Sequence, residues 1–279
     1  MQSGQEFVVQ VSEGERFEFG KNWSNFLRRI DERAIAESMN AVRSALRAEN
    51  LGGLTVLDIG SGSGLSSLVF RRLGASVTAF DFDPGSVACT QELKRREGST
   101  DVEWTVSRGS ILDDEFIKSL GQFDVVYSWG VLHHTGEMWR AIESAQRAVR
   151  LGGRFCIAIY NDQGVWSRCW LAVKKAYNRL PRGLKWLVVA PVFAQQWLPR
   201  FALDSLRGNP LKRWNAYGGN RGMSPWHDLV DWVGGLPFEV AKPEAIFQFL
   251  EDRGFRLIHL KTCAGKHGCN EFTFLKQKT

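Results

Sequence analysis

The sequence predicts an α/β fold: a mostly parallel sheet covered on both faces by helices, with the last strand antiparallel and a mostly helical segment inserted after the fifth strand. Three observations carry this. Short apolar strands alternate with helical patterns over residues 54–160. A Gly-rich turn, GSGSG at 60–64, follows the first strand directly. Composition then shifts abruptly: residues 161–240 hold 11 Lys+Arg, 5 Asp+Glu and 7 of the 11 tryptophans, whereas the other 199 residues hold 25 of each charge sign.

The elements follow in order. DERAIAESMNAVRSALRAE at 31–49 spaces its apolar residues for a helix, with Asp31 and Glu32 in the first turn. LTVLDI at 54–59 is a strand, Leu65 to Leu73 a helix with Gly74 as its cap, and SVTAF at 76–80 a strand ending at Asp81. A helix over 84–97, a strand VEWTVS at 102–107 and a strand FDVVYSW at 123–129 come next. MWRAIESAQRAVRL at 138–151 is an amphipathic helix closed by Gly152 and Gly153, and RFCIAIY at 154–160 is the fifth strand. Past the insertion, KPEAIFQFLEDR at 242–253 is a helix capped by Gly254. Strands at 255–262 and 270–276 are joined by the short turn CAGKHGC, which makes them antiparallel. The expected organisation is an N-terminal arm and helix (1–50), a core (51–160 and 241–279) and an inserted unit (161–240).

Composition excludes several classes. A chain of 279 residues buries roughly three quarters of its unfolded surface and needs no staple. A hydrophobic fraction of 44% and a charged fraction of 24% exclude disordered, collagen-like and coiled-coil chains. No run reaches the ~18 apolar residues of a membrane span, and the N-terminus lacks a basic-then-apolar leader pattern. Cys89, Cys156, Cys169, Cys263 and Cys269 are scattered, without metal-ligand spacing, and read as free thiols. The expectation is a cytoplasmic protein without a metal.

Glycines after a strand and before a helix allow a tight turn and close approach of backbone to a ligand. Asp81 follows Gly64 by 17 residues at the end of the next strand, where a carboxylate can accept from both hydroxyls of a ribose. A dinucleotide site would want GxGxxG, but Leu65 stands where the third glycine belongs. With the preceding VLDI, the run instead resembles the signature of class I S-adenosylmethionine-dependent methyltransferases, over most of the chain outside the insertion. The resemblance implies a Rossmann-like sheet with S-adenosylmethionine as donor and S-adenosylhomocysteine as product. It places Asp58 at the acidic end of the first strand and Gly60, Ser61, Gly62 and Gly64 in the donor loop. Asp81 becomes the ribose acid, and Phe82 lies against adenine. RGSILDD at 108–114, with Ser110 and Ile111, matches the adenine loop, although many members carry Asp where this chain has Ser110. SWGVLHH at 128–134, with Ser128 and Trp129, matches the segment lining the methionine part.

A sulfonium methyl is already activated, so the protein must align donor and acceptor and, for a hydroxyl acceptor, supply a base. His133 and His134 follow the fourth strand, in an LHH motif that recurs in quinone and sterol members of the family. Tyr160, Asn161 and Asp162 follow the fifth strand. RGMSPWHDLVDWVGG at 221–235 gathers His227, Asp228 and Asp231 among aromatics, and AGKHGCN at 264–270 adds His267 and Asn270. The candidate catalytic residues are His134, His227, His133, Asp228 and Tyr160. FGKNW at 19–23 is expected to fold over the donor or to hang as a loose arm.

The insertion reads as a lid, as an interfacial surface over 166–201 for a lipid-like substrate, or as an RNA face. Pro191 is expected to break its apolar run. SWGV in place of the Asn/Asp-Pro-Pro-Tyr of nucleobase methylases argues against nucleic acid. The expected function is methyl transfer to a small-molecule acceptor, with oxygen favoured. Thiol methylation is the alternative, followed by RNA methylation and a non-catalytic donor-binding scaffold.

Overall fold

The computed structural model describes residues 2–28, 30–217 and 225–277. The chain runs α1 (Gln2–Ser12), α2 (Phe19–Leu27), α3 (Glu32–Leu46), β1 (Thr55–Ile59), α4 (Leu65–Arg72), β2 (Ser76–Asp81), α5 (Pro84–Arg96), β3 (Trp104–Arg108), α6 (Asp114–Leu120) and β4 (Phe123–Trp129). A 3-10 turn (Leu132–His134) leads to α7 (Met138–Arg147) and β5 (Val149–Tyr160). The inserted segment contributes α8 (Val165–Arg179), α9 (Trp186–Leu206), α10 (Lys212–Asn215) and α11 (Pro225–Gly234). Then come α12 (Pro243–Glu251), β6 (Phe255–Lys261) and β7 (Cys269–Lys276).

The strands form one sheet of order β3-β2-β1-β4-β5-β7-β6. β7 is antiparallel to both its neighbours, and the remaining pairings are parallel. Alternate strand residues feed two cores. Leu57, Val126, Phe155 and Ile157 pack with Ile142 of α7 and Ile246 of α12 on one face. Val56, Val77 and Val125 pack with Val42, Val69 and Leu93 of α3, α4 and α5 on the other. A third core joins Phe17 of the arm to Tyr177, Val189, Val192, Leu229 and Val233 of the insertion. At the root of the insertion, Asn161 and Ala241 form a parallel bridge, and the Ala241 N–H donates to Tyr160 O at 3.0 Å.

The structure departs from the sequence expectation at several elements. β5 begins at Val149, inside the segment expected to be helical, and runs through Gly152 and Gly153 with a register shift against β4. Those glycines make a strand irregularity, not a helix cap. α9 continues through Pro191 and Pro199, so neither proline breaks it. Each removes one backbone donor, but helix–helix packing of Val189, Val192 and Trp197 holds the axis. Although α9 is long, no helix among the described residues is long and apolar enough to cross a membrane. α6 was not legible from the pattern; its start is fixed by the Asp113 carboxylate, which accepts from the Phe116 N–H at 3.1 Å.

The arm is not loose. Asp83, 6% exposed, accepts from the Gly20 N–H at 2.6 Å and the Gly85 N–H at 2.8 Å. A Cβ on Gly20 would lie 2.6 Å from Ser86 N, so α2 meets α5 backbone to backbone. Asp83→Ala is therefore expected to cost about 1–3 kcal/mol by leaving the Gly20 donor unpaired. Urea titration measures the loss. Limited proteolysis should then cut between α1 and α2, and an uncut arm would contradict the clamp.

Candidate active site

A cavity of about 1340 Å³ runs along the carboxyl ends of β1, β2, β4 and β5, roofed by the arm and the insertion. Strand ends at a turn in strand order are where open parallel sheets hold ligands, here between β1 and β4.

One end is built by the β1–α4 turn. The Gly62 N–H donates to Asp81 Oδ2 at 3.0 Å, and the Asp83 N–H donates to Asp81 Oδ1 at 2.9 Å. Each oxygen keeps a lone pair for a further donor. Burial pushes the Asp81 carboxyl up to about 7. Phe82 beside it is met edge-on by Phe7 at 5.7 Å and capped by the Arg16 guanidinium at 4.9 Å. Ser110 Oγ accepts from the Leu112 N–H at 3.2 Å and keeps its own proton to donate. Ile111 adds an apolar wall.

The other end lies under α9 and α11. Asp231 accepts from the Asn22 amide at 2.8 Å, and burial pushes its carboxyl up to about 8. Asp228 accepts a hydrogen bond from the Tyr217 hydroxyl, and burial raises its carboxyl also. His134 Nδ1 lies 2.6 Å from the Pro237 carbonyl. A carbonyl only accepts, so Nδ1 carries the proton and Nε2 is left with a lone pair. Burial, with Lys174 adding to it, holds the His134 imidazole down at about 3.

Among the candidate catalytic and donor-binding residues named from sequence, Gly60, Ser61, Gly62, Asp81, Phe82, Ser110, Ile111, Trp129, His134, Tyr160 and Asp228 line the cavity. Four do not. Asp58 is 2% exposed and accepts from Ser67 Oγ at 2.6 Å, its carboxyl pushed up to about 6 by burial. Gly64 is the left-handed residue that starts α4. Ser128 is fully buried and donates to Ile59 O at 3.2 Å. His133 is fully buried behind Tyr160, its ring 3.8 Å from the phenol ring and its Nδ1 accepting from the Tyr160 N–H at 3.3 Å. It supports the wall and does not reach the cavity. His227 lies on α11, but its side chain falls outside the described residues.

Sequence reasoning missed Lys174. It is fully buried on α8, donates to the Trp232 carbonyl, and sits among the rings of Tyr160 at 5.6 Å, Trp232 at 4.7 Å and Phe238 at 4.7 Å. Burial lowers its ammonium to about 7. Its helical phase with Trp170 and Tyr177 was the available signal.

Residues 57–157 match the family described as a methyltransferase domain. A ubiquinone biosynthesis O-methyltransferase of Xanthomonas oryzae is 33% identical over 135 residues, covering 48% of this chain and 55% of the relative. One from Methylobacterium is 30% identical over 163 residues, covering 58% of this chain and 56% of the relative. The chain thus spans about half the length of the curated relatives it matches. The crystal structure of a magnesium protoporphyrin IX methyltransferase from Synechocystis, with bound S-adenosylhomocysteine, superposes with a TM-score of 0.52 at 16% identity. That match covers 92% of this chain and 94% of the other, and it places the fold.

The donor end fits S-adenosylmethionine: a carboxylate with free lone pairs, a glycine turn that brings backbone to the cavity wall, and an aromatic side chain beside it. Ribose hydroxyls of such a donor would donate to the ionised form of Asp81. In the free protein that group sits at about 7, so donor affinity should rise with pH through 7 and fall about tenfold per unit well below it. Calorimetry across pH 5.5–8.5 (approximate range) measures this. Asp81→Asn should weaken binding and flatten the profile. A wild-type affinity independent of pH would sink the role given to Asp81.

Proposed function

We propose that residues 57–157, a methyltransferase domain of the class I S-adenosylmethionine-dependent type, work with the inserted helices as a small-molecule O-methyltransferase. One observation carries the choice of oxygen: Asp231, on the acceptor side of the cavity, has its carboxyl raised to about 8, near the pH at which a general base works best. The O-methyltransferase names of the two relatives support the same reading.

The donor supplies a methyl group on a sulfonium, which needs alignment more than activation. Alignment is the task of the cavity walls. Trp129, from the end of β4, and Tyr160, from the end of β5, flank the space between the two ends. Holding both partners in line can contribute several kcal/mol. Asp231 accepts the acceptor's hydroxyl proton as the methyl group bonds to that oxygen. His134 is poorly suited to that step: with its imidazole at about 3, protonating it near pH 7 costs about 5 kcal/mol. It serves better as a neutral acceptor that orients the hydroxyl through Nε2. The base role foreseen for His134 thus passes to Asp231, which Asn22 holds from the arm.

The insertion acts as the lid of this cavity, and its outer face supports a second role. Trp166 is 67% exposed and Trp186 62%, with Arg168, Arg179 and Arg182 near them in sequence. Exposed tryptophans with basic neighbours suit the headgroup region of an anionic bilayer, from which a lipid-like acceptor would enter. Anionic vesicles at low salt should bind the protein and release it as salt screens the charge. Trp166→Ser with Trp186→Ser should weaken that binding. No vesicle binding at low salt would leave the lid role alone.

For the chemistry, Asp231→Asn should lower the turnover number by about 10²–10⁴ and remove the acidic limb of the pH–rate profile, which the ionised base places near pH 8. His134→Asn should cost less. Full turnover in Asp231→Asn would mean that the acceptor arrives already ionised, and the thiol alternative would then overtake oxygen.

A further inference from the structure

We propose that the acceptor carries an acid group, a carboxylate or phosphate, that docks on Arg200 at the far end of the cavity. The inference rests on the small-molecule acceptor reading and narrows its substrate class.

Arg200 projects from α9 into the cavity lining, its guanidinium 4.9 Å from the Trp197 ring centre. Trp197 is itself 2% exposed, so the platform beneath the guanidinium is fixed. Stacking leaves the in-plane N–H fork free to meet a planar anion with two parallel hydrogen bonds.

The carboxylates that line the cavity beside it each have another partner. Asp228 accepts from Tyr217, Asp231 accepts from Asn22, and Glu271 pairs with Lys261 at 3.1 Å. Among the described residues no carboxylate forms an ion pair with Arg200. His267, across the cavity, has its imidazole lowered by burial and by Arg200 itself, which leaves it a neutral donor or acceptor. A partly desolvated guanidinium without an anion is costly, and a ligand anion offsets that cost.

The geometry therefore describes a bifunctional acceptor. Its hydroxyl meets Asp231 on α11, and its acid group meets Arg200 on α9. The two helices belong to the same insertion, so both specificity elements lie outside the donor half.

The test measures binding, not turnover, so it can fail independently of the methyltransferase reading. Benzoate and phenyl phosphate are compared with benzamide and benzyl alcohol by ligand-observed NMR, with S-adenosylhomocysteine present throughout. The wild-type protein should favour the anions about tenfold or more. Arg200→Gln should abolish the preference, and Arg200→Lys should restore part of it, with far-UV circular dichroism unchanged in both. Equal binding of charged and neutral probes would overturn the proposal, as would a preference that survives in Arg200→Gln. So would no anion binding up to roughly 10 mM, the weak end of fragment affinity. Anionic vesicle binding lost in Arg200→Gln, with no change in probe binding, would assign the residue to a lipid surface and overturn it as well.

Discussion

The turn between β1 and α4 has no room for a side chain at Gly60 or Gly64, and one end of the cavity takes its shape from that crowding. A Cβ on Gly60 would lie 2.4 Å from Val131 Cγ1, and one on Gly64 would lie 2.9 Å from Thr90 Cα. Both glycines also hold positive φ, +76° and +83°, where a side chain adds strain of its own. Val131 follows β4 and Thr90 lies on α5, so one turn is wedged between two neighbouring connections. Its amides then have fixed directions. The Gly60 N–H donates to Phe80 O at 2.8 Å, and the Gly62 N–H aims at the Asp81 carboxylate. Asp81 is thus oriented by the same backbone that shapes this end of the cavity.

Burial, more than pairing, sets the electrostatics of the cavity. Asp81 and Asp231 are pushed up, and His134 and Lys174 are pushed down, each with burial as the largest cause. Asp81, Asp231 and Lys174 therefore titrate near physiological pH and change charge at small cost, whereas His134 stays neutral. Lys174 is the extreme case. Three aromatic rings and a carbonyl replace its water shell, and cation–π contacts recover on the order of 2 kcal/mol of what desolvation takes. Its charge in turn opposes protonation of His134, which keeps that imidazole an acceptor.

The donor half was legible in the sequence because its signals are local. The Gly turn, the acid 17 residues on and the strand order all lie within one stretch of alternating pattern. The acceptor half was not, because tertiary packing assembles it. Nothing next to Asp231 distinguishes it from Asp228; its raised carboxyl comes from being enclosed by the arm and α8. The pair Lys174 and Lys175 reads as a solvated run, yet helical phase sends Lys174 inward with Tyr177 and leaves Lys175 exposed. Pro191 was misread for a related reason: propensity predicts a break where helix–helix packing prevents one. Asp58, Ser128 and His133 have motif positions beside the site but point into the cores or behind its walls.

The two halves meet through residues 16–22 of the arm. Arg16 caps Phe82 at the donor end and donates to His134 O at 3.1 Å, at the middle of the cavity. Phe17 enters the core of the insertion. The Gly20 N–H is held by Asp83, and Asn22 donates to Asp231. One short segment therefore touches both ends of the cavity, and whatever orders it also sets the amide that holds Asp231.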